Sequence, residues 1–374
     1  MSHPRPHVVH IASGDRWAGA EVQVWTLLTQ LHRDGQFDVA AILMNDGELA
    51  RRLRAADIAV DVLDESRRGF GALVLGTRRV LKTRRPVLVH THRQKENLLG
   101  VLAAWPLGIP SVRTVHGAPE SATTGALKRL LAWLDAWTAA HCQKRVVAVS
   151  GDLAAQLQRR LPGARIVTIP NGIDIETVRL AAHPPADLGR RHPAERQVGI
   201  VGRLDPVKRV DIFLEMAAEL LRRKPGGWQF HVFGEGQLRK DLEAQAARLG
   251  IAGHVVFHGH RMDIAACLAA LDALVMCSDH EGLPMTPLEA LAVGTPVVAH
   301  AVGGLVEVLQ HEARGVLVEA HQPGAYADAV ARIFTTGKPE TLLQMGDRES
   351  RFSAASNAVA VTALYRDVLT GRSR

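Results

Sequence analysis

Short apolar runs rich in β-branched residues recur along the chain, and stretches with helical spacing fill the gaps between them. HVVHIA, DVAAILM, VLVHTH, SVRTVHG, RVVAVS and RIVTIP all fall before residue 171, and their length and composition predict strands. Between two of them, GALKRLLAWLDAWTAAHC sets Leu127, Leu130, Leu131, Leu134 and Trp137 along one apolar helical face. Trp133 and Trp137, four residues apart, suit either a core-facing stripe or a helix lying on an anionic membrane surface. A second series, QVGIVGR, WQFHVFG, HVVFHG, ALVMCS, PVVAHA and GVLVEA, repeats the rhythm after residue 196.

Alternating strands and helices predict parallel sheets covered by helices. The alternation lapses over residues 170–197, where prolines, glycine and charges take over, and this stretch is read as the inter-domain connection. The pattern therefore predicts an α/β chain of two doubly wound, Rossmann-like domains, residues 1–178 and 179–350. A C-terminal helix within 351–374 is expected to pack back toward the first domain. Ligands of such sheets bind beyond the carboxyl ends of the strands, so the loops after these runs are where chemistry is sought.

Composition adds limits. The 374 residues are 47% hydrophobic and 22% charged, ordinary globular values with room for two domains. Cys142, Cys267 and Cys277 are too scattered for a disulfide framework or a C-x-x-C metal site. MSHPRPHVVHIASG has no apolar signal core, and no run reaches the ~18 apolar residues a membrane span needs, so a cytoplasmic location is expected. The net charge of +7 lies wholly in residues 1–150, with 20 Lys+Arg against 13 Asp+Glu, the remainder balancing at 25 against 25. Such asymmetry suits an anionic partner for the first part. Aromatics at 4%, with two tyrosines, argue against base stacking, and no nucleic-acid recognition motif is present.

Three strand exits of the second series carry candidate chemistry. VGRLDPVKR supplies Arg203 and Lys208 just before a helix, two cations where a helix N-terminus also favours an anion. FGEGQ carries Gly234 and Gly236, which admit either a flat ligand such as a nucleobase or a simple tight turn. SDHEGLPMTPLEA sets Glu281 in a loop and Glu289 inside the following helix, with Pro284 in the first turn. The N–H groups near Met285 and Thr286 are expected to face a diphosphate or sugar hydroxyls. Spacing alone leaves the glutamates open to three readings: an acid/base pair, a ligand clamp, or loop and capping charges. In the first part, HTHRQKENLLG offers His92, Arg93, Lys95 and Asn97 either as acceptor contacts or as a capped helix start with solvated charges. No D-x-D pattern occurs; the nearest acidic pair, Asp174 and Glu176, lies in the connection, and no metal or other cofactor is expected.

VGRLDPVKR, EGLPMTPLEALAVGTPVVAHAVGG, IPNGID and AGAE at residues 18–21 together resemble the retaining glycosyltransferases of family 4, the GT-B group also called glycosyl transferases group 1. The resemblance implies two Rossmann-like domains facing an interdomain cleft. It implies that Arg203 and Lys208 bind the donor diphosphate, that Glu289 holds the ribose hydroxyls, and that Glu281 lies near the donor sugar. The loop amides of Gly282, Leu283, Met285 and Thr286 would contact sugar and phosphate. Gly19 matches the second glycine of the GG-x-E loop, whose N–H approaches the diphosphate, and His116 in TVHG matches the active-site histidine near the transferred sugar. Three positions depart from the pattern: Ala18 for the first glycine of GG-x-E, Arg209 for the common glycine after the lysine, and Leu283-Pro284 for the frequent Phe-Gly.

The function so implied is metal-independent transfer, with retention, of a hexose-type sugar from a nucleotide-diphosphate sugar, UDP rather than GDP, to a glycan or lipid-linked acceptor in bacterial cell-surface polysaccharide or lipopolysaccharide assembly. The basic, apolar segments RRGFGALVLGTRRVLKTRR and ALKRLLAWLDAWTAAHCQKR suggest peripheral attachment to an anionic inner membrane face. Two other classes share the architecture: nucleotide-sugar 2-epimerases and non-catalytic sugar-nucleotide-binding proteins.

Overall fold

The computed structural model describes residues 5–15, 17–117, 126–189, 192, 194–224, 227–310, 315–336 and 351–371. Its contacts divide the chain into two compact units, Met1–Gly172 with Ser350–Arg374, and Ile173–Glu349.

The first unit runs β1 (His7–Ala12), α1 (Gly19–Asp34), β2 (Asp38–Leu43), α2 (Glu48–Ala55), β3 (Ala59–Val62), α3 (Phe70–Arg84), β4 (Leu88–Thr91), α4 (Gln94–Ala104), β5 (Ser111–Val115), α5 (Ala126–His141), β6 (Gln143–Ala148), α6 (Gly151–Arg160) and β7 (Ile166–Thr168). The second runs α7 (Ile175–Leu180), β8 (Arg196–Val201), α8 (Val210–Arg223), β9 (Trp228–Phe233), α9 (Arg239–Arg248), β10 (Val255–Gly259), α10 (Ile264–Ala270), β11 (Ala273–Met276), α11 (Met285–Ala292), β12 (Val297–His300), α12 (Gly304–Leu309), β13 (Gly315–Val318) and α13 (Pro323–Thr336). The last helix, α14 (Ala354–Thr370), returns to the first unit.

The sheet orders are β3-β2-β1-β4-β5-β6-β7 and β10-β9-β8-β11-β12-β13, with every pair parallel. Both are doubly wound, and each reverses its winding at one place, between β1 and β4 or between β8 and β11. The alternation of side chains along β1 shows how the first sheet is sandwiched. Val8 and Ala12 join a core with α1 and α14, while Val9 and Ile11 join another with α3 and α4.

α14 is fastened by polar contacts as well as by apolar ones. Asn357 Oδ1 accepts from Gln23 Nε2 at 3.1 Å, and Asn357 Nδ2 donates to the Pro170 carbonyl at 2.6 Å. Ser353 caps the helix start by accepting from Ser356 N at 3.1 Å.

Two elements depart from the sequence expectation. AVDV forms β3, an edge strand whose central Asp61 interrupts the apolar run, so its pattern is too short and too polar to stand out. Within the connection, Ile175–Leu180 forms α7, because Asp174 caps it by accepting from Thr177 N at 3.1 Å.

Helix α5 decides between the two readings of its apolar face. Leu130, Leu131, Trp133 and Trp137 are 51%, 41%, 59% and 40% exposed, so the apolar stripe faces outward. The inward side is held by Thr138, Ala139 and a buried ion pair in which Arg113 Nη1 meets Asp135 Oδ1 at 2.6 Å. The Leu127 side chain lies outside the described residues.

Candidate active site

In the second unit the loops leaving β8 and β11, the switch strands, are stitched together by Asp279 N donating to Val207 O at 2.9 Å. Pro206–Lys208 forms a single 3-10 turn capped by Asp205, which turns Lys208 toward the β11 loop. There Lys208 Nζ donates to Glu281 Oε1 at 2.6 Å, a charge-assisted pair with only 21% and 9% of the two side chains exposed. Glu281 therefore holds the lysine in place. Arg203 stands more openly, its Nη2 3.2 Å from Asp205 Oδ2.

The helix after this loop, α11, starts behind Pro284 with no side-chain cap. Its first-turn N–H groups at Met285 and Thr286 face outward from the helix start, and Pro287 contributes none. Glu289 sits half-buried in the second turn, and burial pushes its carboxyl up to about 7. A carboxyl so placed gains from any hydroxyl that donates to it.

Gly234 and Gly236 answer to the chain itself. A Cβ at Gly234 would lie 1.8 Å from Gly202 O and one at Gly236 2.3 Å from Leu204 O, so close backbone packing of the β8 and β9 exits requires both glycines. Sequence reasoning missed a similar pair, Gly303 and Gly304. Gly303 has φ +53° and would clash with Glu281 O at 1.8 Å, and Gly304 N donates to Gly282 O at 2.7 Å. These contacts brace the loop that carries Glu281 and Gly282.

Arg209 explains its own departure from the family pattern. Its φ of +49° and ψ of +46° are left-handed, the region that favours glycine. Arginine is held there by Asp211, with Nε–Oδ1 at 3.0 Å and Nη2–Oδ2 at 2.9 Å, and by Asp279 at 3.2 Å.

In the first unit, Gly19 opens α1 in an exposed turn behind Ala18. Glu21, two residues on, is buried and accepts from Arg93 Nη2 at 2.5 Å; burial still lifts its carboxyl to about 7 against the pull of that arginine. Lys95 pairs with Glu65. Asn97 is a correction: it is 3% exposed, its amide oriented between Thr91 Oγ1 at 2.5 Å and Arg113 Nη1 at 2.9 Å. It braces β4 and β5 and presents nothing to an acceptor.

His116 follows β5, half-buried, with Nε2 3.2 Å from His92 Nδ1. Burial, then the charge of Arg93, pushes it down to about 4, so it is neutral at pH 7. Its Nδ1 is shielded from solvent and has no partner among the described residues. An unpaired buried polar atom costs about 1–3 kcal/mol, a cost that a bound hydroxyl or oxygen removes.

Behind it stand residues the sequence reading did not connect. His10 on β1, His90 on β4, His92 just beyond β4 and Thr114 on β5 lie on one side of the sheet, and His10 lies directly beside His90 in the strand register. Burial holds His10, His90 and His92 well below the usual histidine range. Tyr365 of α14, fully buried, closes the group. The available signal was that VLVHTH and SVRTVHG bring histidine to the carboxyl end of a strand, while HVVHIA carries His10 inside one.

Both units are similar to known proteins. Residues 17–177 match the family "Glycosyltransferase Family 4", and residues 190–350 match "Glycosyl transferases group 1". A D-inositol 3-phosphate glycosyltransferase of Segniliparus rotundus is 31% identical over 311 residues, 76% of this chain and 67% of that one. A UDP-Gal:alpha-D-GlcNAc-diphosphoundecaprenol alpha-1,3-galactosyltransferase of Escherichia coli is 27% identical, covering 94% of this chain and 97% of that one. Among solved structures, Anabaena Alr3699/HepE in complex with UDP-glucose superposes with a TM-score of 0.82 at 22% identity, over 97% of this chain and 100% of that one. The two parallel Rossmann-like units are those of the GT-B fold. The chain belongs to glycosyltransferase family 4, with a group 1 glycosyl transferase unit as its second half.

Proposed function

We propose that this glycosyltransferase moves a hexose-type sugar, with retention, from a UDP-sugar to a glycan or lipid-linked acceptor in bacterial cell-surface polysaccharide or lipopolysaccharide assembly. The observation that carries the reading is the Lys208–Glu281 pair at the switch of the second sheet, beside a helix start and a carboxyl with no ion-pair partner among the described residues. A diphosphate leaving as the sugar transfers gains negative charge, and Lys208 and Arg203 stabilise that charge from fixed positions. Glu281 keeps Lys208 aimed until phosphate oxygens share it. Glu289 accepts from the ribose hydroxyls, and the amides of Met285 and Thr286 receive phosphate or sugar oxygens. The C1–phosphate bond breaks, the C1–acceptor oxygen bond forms on the same face, and the departing phosphate takes the acceptor's proton. Cations of the chain itself neutralise the leaving group, so the reaction proceeds without a divalent metal.

Attachment to an anionic membrane surface on its cytoplasmic side fits the same reading. No helix among the described residues is long and apolar enough to cross a membrane. Trp133, Trp137, Leu130 and Leu131 are exposed on α5, Phe70 and Leu75 on α3, and the unit's positive excess lies in the same part of the chain. The relative from Escherichia coli is named for an undecaprenol diphosphate acceptor, which makes that lipid class the first to try.

The test is incubation of the purified protein with UDP-hexoses and a polyprenyl-diphosphate sugar in EDTA, with the product read by NMR. An axial new linkage from an axial donor is expected. Inverted product, or turnover that requires added metal, overturns the mechanism; conversion of donor alone to its 2-epimer overturns the function.

A further inference from the structure

The histidine group behind His116 is a continuous hydrogen-bonded chain. His116 Nε2 meets His92 Nδ1 at 3.2 Å, His92 Nε2 meets His10 Nδ1 at 2.9 Å, and His10 Nε2 meets Tyr365 Oη at 2.9 Å. Tyr365 Oη also meets His90 Nδ1 at 2.6 Å, and His90 Nε2 meets Thr114 Oγ1 at 2.8 Å. Every ring nitrogen of His10, His90 and His92 is thereby used, and only Nδ1 of His116 is left over.

A neutral imidazole has one N–H and one lone pair, so each ring passes hydrogen-bond direction to the next. The chain as a whole therefore has two polarities. If His116 Nε2 donates inward, every later donor points the same way and Thr114 becomes the final acceptor, leaving its own buried O–H without a partner. If Thr114 donates to His90, then His90 Nδ1–H donates to Tyr365, and Tyr365 O–H donates to His10 Nε2. His10 Nδ1–H then donates to His92 Nε2, and His92 Nδ1–H donates to His116 Nε2. The first polarity leaves two groups unpaired among the described residues, the Thr114 O–H and the Nδ1 lone pair of His116, whereas the second satisfies every proton from Thr114 to His92 and leaves only the Nδ1–H of His116 for a ligand.

We infer that Thr114, His90, Tyr365, His10 and His92 are positioning residues that fix His116 as its Nδ1–H tautomer, so that it meets the transferred sugar as a hydrogen-bond donor and not as a base. This deepens the glycosyl-transfer reading and rests on it. The Nδ1–H, shielded from solvent and unpaired among the described residues, is then the group left to pair with a sugar oxygen, and the acceptor's proton is left to the departing phosphate.

A metal bound by His10, His90 and His92 is the rival use of these side chains. Their candidate ligand atoms spread over distances up to 4.8 Å, whereas tetrahedral zinc at ~2.0–2.1 Å needs nitrogens about 3.4 Å apart. The same nitrogens are already committed to one another, to Tyr365 and to Thr114.

The first test is ¹⁵N NMR of the histidine-labelled full-length protein, which reads ring tautomers directly and needs no turnover. His116, identified by the signal lost in H116N, is expected to show a protonated Nδ1 and a bare Nε2. The reverse tautomer, an imidazolium at pH 7, or stoichiometric zinc in the purified protein overturns the inference. The second test is a cycle on donor turnover. H116N, whose amide nitrogen replaces Nδ1–H, is expected to keep at least tenfold more kcat than H116Q. Tyr365→Phe is expected to lower kcat about tenfold with the donor KM unchanged, and to have no further effect in the H116N background. An equal loss in both backgrounds means that Tyr365 acts only through packing, and overturns the inference. If the wild type turns over no nucleotide sugar while the NMR result holds, the functional reading fails and the tautomer assignment stands.

Discussion

Both sheets reverse their winding between two neighbouring strands, yet the side chains at the two reversals are of opposite kinds. At β8 and β11 they are ionic: Lys208 with Glu281, Arg203 with Asp205, and Arg209 with Asp211 and Asp279. At β1 and β4 they are a neutral file of His10, His90 and His92 closed by Tyr365, with Arg93 and Glu21 at its margin. One topology thus supports two chemistries. Fixed charges suit a ligand that arrives and leaves as an anion, while buried neutral donors suit one that offers only hydroxyl and ring oxygens.

The largest break in this contrast should come from removing the charge. Lys208→Ala is expected to lower kcat/KM by about 10²–10³ in a protein that still folds but melts lower, since it removes the proposed stabiliser of the leaving charge and leaves Glu281 unpaired. Glu289→Ala should likewise leave a folded protein with almost no turnover. Near-normal rates in either would show that the ionic switch is not the donor site.

A pH profile sharpens the contrast further. Glu289 has its pKa raised to about 7, above the ordinary 4.5, by burial. Its neutral form is therefore the one that favours folding. That contribution is complete below about 4.5 and is lost as pH rises through about 7. Ribose hydroxyls donate to the carboxylate form, so donor affinity should rise roughly tenfold from pH 6 to pH 8. Glu289→Gln should abolish the rise; if it persists, Glu21, also near 7, carries it instead.

Smaller effects test features outside the two switches. Replacing Trp133 and Trp137 by serine should cut co-sedimentation with anionic vesicles roughly tenfold while leaving turnover of a soluble acceptor intact. Arg209→Gly should change stability by no more than about 1 kcal/mol, because relief at φ +49° offsets the partly exposed ion pairs.

Much of this architecture was legible from strand-length apolar runs, whose period survives any tertiary detail. β3 was not, because Asp61 breaks its run, and α7 was not, because its six residues sit among prolines and charges. The facing of α5 stayed open because an outward apolar stripe and an inward one have the same spacing, and the deciding ion pair joins Arg113 to Asp135 across the fold. In the ionic site, VGR-x4-K and E-x7-E were visible as spacings, but the direct Lys208–Glu281 contact was not. The histidine file was the least legible part. Its members lie on three strands and a helix, with Tyr365 separated from His10 by 355 residues, and although His92 and His116 stood out singly, no spacing in the sequence joins them to His10 and His90.

The most direct test of the contrast is calorimetric binding of UDP, in EDTA, to the wild type, Lys208→Ala and Tyr365→Phe. A division between ionic and neutral switches predicts a Kd weakened by at least tenfold in Lys208→Ala and unchanged in Tyr365→Phe. Equal affinity in the wild type and Lys208→Ala would contradict it.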